Sequence, residues 1–111
     1  MKIKFIAGLL LLVLIVSAFV ACSSKVVDYP NVEDFETALN AGEDLTGKTV
    51  TFTVDTFVPN SAFGYNMQAG EHLNFCSTTN PNVKQGDTVT VKVTEVSSVL
   101  GSYIIKYEIV K

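Results

Sequence analysis

The sequence predicts a small, mainly β domain, five strands curled into a closed or nearly closed barrel with one short helix ahead of them. Three observations lead there. From Lys48 onward apolar and polar residues alternate with a period of two, the spacing of half-buried strands. Turn-forming clusters, among them Pro59-Asn60-Ser61, Gly70-Glu71, Asn80-Pro81-Asn82 and Gly86-Asp87, divide that stretch at short intervals. Only the segment Val32 to Ala41 carries helical spacing. Closure is expected because a short Val/Thr-rich sheet left open would expose long unpaired edges.

Ahead of the domain stands an export segment. Met1-Lys2-Ile3-Lys4 places two cations before an apolar run from Phe5 to Ala21, broken only by Gly8 and Ser17. A positive start, an apolar middle and small residues at the end make a signal peptide, expected over residues 1–21. The run ends in Phe19-Val20-Ala21-Cys22, which resembles the box that bacterial lipoproteins carry before an acylated cysteine, with Phe19 in place of the usual Leu. The resemblance implies a diacylglyceryl group on the Cys22 sulfur, a lipid-anchored chain on the outer face of a bacterial membrane, and a tether over residues 22–28. An uncleaved transmembrane helix and a plain secretory signal are the alternatives. As a helix the run would reach roughly 25 Å, slightly short of the ~30 Å hydrocarbon core. With the lysine-flanked end held inside, the domain faces outward whether the segment is acylated or stays as an anchor.

The remaining domain, residues 29–111, is small enough to bury only about 60% of its unfolded surface. Past the leader six lysines stand against eleven acids, a net charge of −5. The chain has no Arg and no Trp. Phosphate contacts dominate nucleic-acid affinity, so an acidic domain without the bidentate guanidinium fork is not expected to bind nucleic acid.

Asn31 is the expected N-cap of the helix, Glu33, Asp34 and Glu36 place acids in its first turns, and Gly42 is the expected stop. Val32, Phe35 and Leu39 form its apolar stripe. Residues 28–44 hold six of the eleven acids and no lysine, expected chiefly as a solvated face. Strand one runs from Thr49 to Val58, with Val50, Phe52, Val54 and Val58 on one face and Thr49, Thr51, Thr53 and Asp55 on the other. A hairpin follows around Gly70-Glu71, pointing Tyr65, Met67, Leu73 and Phe75 inward and Asn66, Gln68, His72 and Asn74 outward. Ser77 to Gln85 is a polar loop. Val89, Val91 and Val93 alternate through the fourth strand, a turn is bracketed by Ser97-Ser98 and Gly101-Ser102, and Tyr103 to Val110 form the last strand. That strand's second face is apolar at Ile104 and Val110, where the helix could cover it.

Leu45-Thr46-Gly47-Lys48-Thr49-Val50 opening the first strand, Leu73-Asn74-Phe75-Cys76 in the third, and Val83-Lys84-Gln85-Gly86-Asp87-Thr88-Val89 opening the fourth resemble small bacterial OB-fold lipoproteins, near the group described as tRNA-anti-codon-like OB domains. The resemblance implies a five-stranded OB-like Greek-key barrel and no particular activity. The helix usual between the third and fourth strands is reduced to the Ser77–Gln85 loop. The structural alternative is a cystatin-like helix on a curved antiparallel sheet.

Chemistry is sparse. His72 is the single histidine, with no partner at ligand spacing, so no metal or cofactor is expected. No framed nucleophile, P-loop, dinucleotide fingerprint or EF-hand loop occurs, and no catalytic residue is expected. Cys76 is expected to be an inert buried thiol; a disulfide to Cys22 requires that lipidation fail. OB folds bind through the face of strands two and three. On that face Asn66, Gln68, His72 and Asn74 form an uncharged, amide-rich set, and Phe63 in the preceding turn is the expected exposed aromatic at its rim. Amides can bond sugar hydroxyls or peptide backbone, so a glycan or an envelope protein is the expected partner. A structural accessory that docks on a larger envelope protein is the alternative.

Overall fold

The computed structural model describes residues 26–110; the leader and Cys22, and the expectations attached to them, lie outside that range. Helix α1 spans Val32–Asn40, and six strands follow: β1 Thr49–Thr53, β2 Thr56–Ser61, β3 Gly64–Ala69, β4 Leu73–Ser77, β5 Thr88–Val99 and β6 Ser102–Ile109. The helix begins where the caps place it. The Asn31 carboxamide oxygen accepts the Asp34 N–H at 2.9 Å, and Gly42 ends the turn at φ +87°.

The strands form one sheet in the order β1-β5-β6-β4-β3-β2. Every pairing is antiparallel except β4–β6, which is parallel. The two ends of that order, β1 and β2, are consecutive halves of the expected first strand. The order thus returns to its start through the chain itself, which is the connectivity of a five-stranded OB-like Greek-key barrel with one helix. The parallel pair is foreign to an antiparallel meander, so the cystatin-like alternative is set aside.

The break between β1 and β2 corrects the expectation of one uninterrupted strand. Val54 exchanges backbone bonds with the Gly86-Asp87 turn, Gly86 N–H to Val54 O and Val54 N–H to Asp87 O, both at 2.8 Å. One residue later the Asp55 N–H reaches Gln68 O at 2.9 Å. The strand therefore changes partner at Val54–Asp55, and its alternation slips by one. Val50, Phe52 and Val54 are buried as expected, but Phe57, not Val58, then packs against the core. A second slip lies in β5, where a bulge after Val93 inserts one residue and makes Val96 the next valine packed inward. β5 runs on through Ser97-Ser98 to Val99, and the turn is confined to Leu100-Gly101.

The core gathers around Phe75. Its ring stacks on Phe52 at 4.1 Å between centroids and meets Phe35 at 6.0 Å and Tyr107 at 6.4 Å. Phe35 of α1 is fully buried and meets the Tyr29 ring edge-on at 5.5 Å. The helix lies across the barrel end formed by the β3–β4 turn and the start of β6. There Asn40 accepts the Tyr103 hydroxyl at 2.9 Å and Glu36 reaches residues 71 and 72. It closes that end and does not cover the outward face of β6. Ile104 on that face is nevertheless buried, with Cys76, outside the main core cluster.

Candidate functional site

Cα register defines the outward face of β3, β4 and β6. Gln68, Asn74 and Ile104 form one row across the three strands, and Asn66, Cys76 and Lys106 form the next. Asn74 is its hub. Its carboxamide oxygen accepts from Asn66 Nδ2 at 3.1 Å and from Gln68 Nε2 at 3.4 Å, and its Nδ2 donates to Tyr103 O at 3.1 Å. The amides are therefore linked to one another before any partner arrives, through the Asn74 oxygen.

Two of the expected contact residues need correction. Asn66 is only 5% exposed. Flanked in register by Val58 and Cys76, with its amide turned onto Asn74, it is a support of the face and not part of its surface. Its Oδ1 is buried without a hydrogen-bond partner. Phe63 is half exposed, as expected, but stands at the far end of β4 from His72. Its turn is held by Ser61, whose hydroxyl accepts the Phe63 N–H at 3.1 Å and donates to Gly64 O at 2.6 Å. At Gly64, φ +97°, a Cβ would stand 2.6 Å from Ser77 O, so only glycine fits.

Gln68, His72 and Asn74 do converge, on a cleft of about 290 Å3 floored by the β3–β4 turn. The sequence reading missed what builds that turn. Glu36, expected on a solvated face, is 8% exposed; its two carboxylate oxygens accept the N–H groups of Glu71 at 2.9 Å and His72 at 2.8 Å. His72 Nδ1 lies 3.5 Å from the same carboxylate, and its side chain remains 55% exposed. The cleft shares Asp55, Gly70 and Glu71 with a larger groove of about 740 Å3 between α1 and β1. That groove adds Glu33, Glu36 and the threonines 51, 53 and 88, so the joined surface is acidic and rich in hydroxyls. Only the acids of α1 were visible as a run; Asp55 and Glu71 join them through the fold. Among the described residues no three His, Cys, Asp or Glu side chains gather as a metal site.

At the opposite end a pocket of about 550 Å3 is lined by Phe63, Cys76, Thr94, Ile104, Lys106 and Tyr107, among others. Cys76 is 2% exposed, and burial pushes its thiol pKa up, with Lys106 opposing. Burial likewise pushes the Tyr107 hydroxyl up to about 12; the Cys76 thiol adds to the rise and the Ser77 hydroxyl opposes it. No partner stands at hydrogen-bonding geometry to the Tyr107 oxygen. Both groups are the reverse of an activated nucleophile.

No protein-family model, curated protein or solved structure matches the chain at a significant level, so the site is read from its own geometry.

Proposed function

We propose that this chain is a membrane-tethered, non-catalytic binding module whose ligand surface is the cleft of Gln68, His72 and Asn74 together with the adjoining acidic groove. The observation that carries the reading is the convergence of those three side chains on a turn that α1 holds from behind through Glu36. A polar, pre-organised concavity suits a partner that presents many hydroxyl or amide groups, a glycan or a protein segment. The acids bordering it favour a neutral or cationic partner over an anionic one. Single-stranded nucleic acid would need stacking aromatics and a basic groove, and neither borders this cleft.

The tether in this proposal is the Phe19–Cys22 box: acylation of Cys22 would leave the domain on the outer face of a bacterial membrane. Mass spectrometry of the membrane-extracted chain should find a diacylglyceryl-modified N-terminal Cys22, and an intact Met1 would count against it. The binding reading is tested by pull-down from the envelope and by a glycan array, comparing the parent with Gln68→Ala and His72→Ala. Loss of a partner in both variants, with folding intact, is the expected result. A partner retained equally by both variants would place the site elsewhere.

A further inference from the structure

We infer that two copies of this chain associate by antiparallel pairing of their β5 edges around Ser97, with Leu100 of each copy seated at the Phe63 pocket of the other. The inference does not rest on the ligand cleft, since the two pockets share no lining residue.

The second half of β5 is an open edge. Up to Val93 its outer side is occupied: the Val93 N–H donates to Lys48 O and Val93 O accepts the Gly47 N–H, both at 2.8 Å. Beyond that point β5 outruns β1, whose register ends at Lys92. The Tyr103 N–H donates to His72 O at 2.8 Å, so Tyr103 turns its backbone groups toward β4 and away from its β5 partner Ser98. By the alternation of an antiparallel ladder, Ser98 and Val96 both aim N–H and C=O away from β6. Among the described residues no strand pairs with that edge.

The edge ends in a residue chosen against local preference. Leu100 and Gly101 occupy the two-residue turn between the paired Val99 and Ser102, at φ +48° and φ +84°. Turns with two positive φ values favour Asn-Gly or Gly-Gly, and a bulky non-glycine residue there carries strain. This leucine is also 100% exposed, beside a Val99 that is 38% exposed. A strained, fully solvated leucine weakens the isolated domain, and such strain concentrates at functional positions.

Self-pairing accounts for both features. With Ser97 facing Ser97 on a two-fold axis, Val96 meets Ser98 of the second copy, and two such pairs exchange four backbone hydrogen bonds. Glu95 falls opposite Val99, so no like charges face each other. The same register carries Leu100 to Thr94 of the second copy, and Thr94 lines the 550 Å3 pocket with Phe63 and Ile104. Knob and socket thus lie on one surface at the spacing that an isologous contact requires.

Disulfide trapping in the full chain, in its own membrane, tests this. Residues on the axis form a non-hydrogen-bonded pair with Cα atoms about 4.5 Å apart, within reach of a disulfide. Ser97→Cys should give a covalent dimer under mild oxidant, well above the parent and above Thr56→Cys, which places a thiol on exposed β2. Adding Ser98→Pro should abolish the cross-link, since it removes an edge-facing N–H and leaves the β6 ladder alone. Adding Leu100→Asn should weaken it at least about tenfold, while the thermal midpoint holds or rises because Asn suits the turn. Cross-linking of Ser97→Cys no greater than that of Thr56→Cys would overturn the inference. So would a dimer that Leu100→Asn leaves at parental strength.

Discussion

Glu36 grips His72 through its backbone: Oε2 accepts the His72 N–H at 2.8 Å, while Oε1 takes the neighbouring Glu71 N–H. One carboxylate thereby fastens the helix to the turn that floors the ligand cleft. Glu36→Ala would leave both N–H groups without a partner in a part-buried place, where hydrogen bonds to charged groups contribute about 1.5–3 kcal/mol each. Chemical denaturation should show a loss of about 2–4 kcal/mol. Glu36→Gln, which keeps one acceptor, should fall between it and the parent. A change below about 0.5 kcal/mol in the alanine variant would mean that the turn stands without the helix.

Gly70 is coupled to the same carboxylate. At φ +61° it occupies left-handed backbone, and a Cβ there would collide with Glu36 Oε1. Gly70→Ala should therefore destabilise through both strain and collision. In the Glu36→Ala background that collision is gone, and what persists is the strain and a tight 3.3 Å approach to Leu73 Cδ1. A double-mutant cycle should then give a combined cost smaller than the sum of the two. Strict additivity would show that the helix yields freely and the contact is soft.

Alkaline pH should expose the end of the barrel near Phe63. Tyr107 is raised to about 12 from an ordinary 10, and Cys76 is raised from its own ordinary value of 9.0, both chiefly by burial. The folded state thus holds these protons at pH values where the unfolded chain has released them. Their contribution to stability is whole below pH 9, declines from there, and for Tyr107 is lost between about 10 and about 12. Urea midpoints measured from pH 8 upward should fall across that window. Tyr107→Phe keeps the ring against Phe75 and removes the ionisable oxygen, so its profile should be flatter above pH 10. An unchanged slope would assign the alkaline loss to other groups.

The same burial predicts slow chemistry at Cys76. A maleimide reacts with thiolate, and here the thiol is both 2% exposed and shifted up. Labelling should be slow in the native protein and stoichiometric in denaturant. Fast native labelling would mean that the Phe63 pocket opens down to the sulfur.

Much of the barrel was legible because alternation and capping are local. Asn31, Gly42 and the inward set Met67, Leu73 and Phe75 follow from period and turn chemistry alone. What escaped depends on distant partners. The slip at Val54–Asp55 arises because the strand exchanges one distant neighbour, the Gly86-Asp87 turn, for another, Gln68. The burial of Glu36 needs two N–H groups supplied by another hairpin. Asn66 belongs to the outward alternation of β3, yet its neighbours on β2 and β4 take it out of solvent. Period assigns a face; only pairing assigns exposure.

That distinction separates Gln68 from Asn74, although both lie on the ligand cleft. Gln68 makes one long bond, its Nε2 to Asn74 Oδ1 at 3.4 Å, so its truncation removes little that the fold needs. Gln68→Ala should leave the thermal midpoint within the range of ordinary surface changes, about 0.5 kcal/mol, and still weaken any partner held at the cleft. Asn74 accepts from Asn66 and donates to Tyr103 O, bridging three strands. Asn74→Ala would leave the buried Asn66 amide, whose Oδ1 already lacks a partner, with no partner on Nδ2 either. A loss of about 1–3 kcal/mol is expected, read by urea denaturation. Asn66→Leu together with Asn74→Ala should recover part of it, because an apolar group at that position has no bond to miss. If Asn74→Ala proved as mild as Gln68→Ala, the amide network would be incidental to the fold, and Asn74 would be free to serve the partner alone.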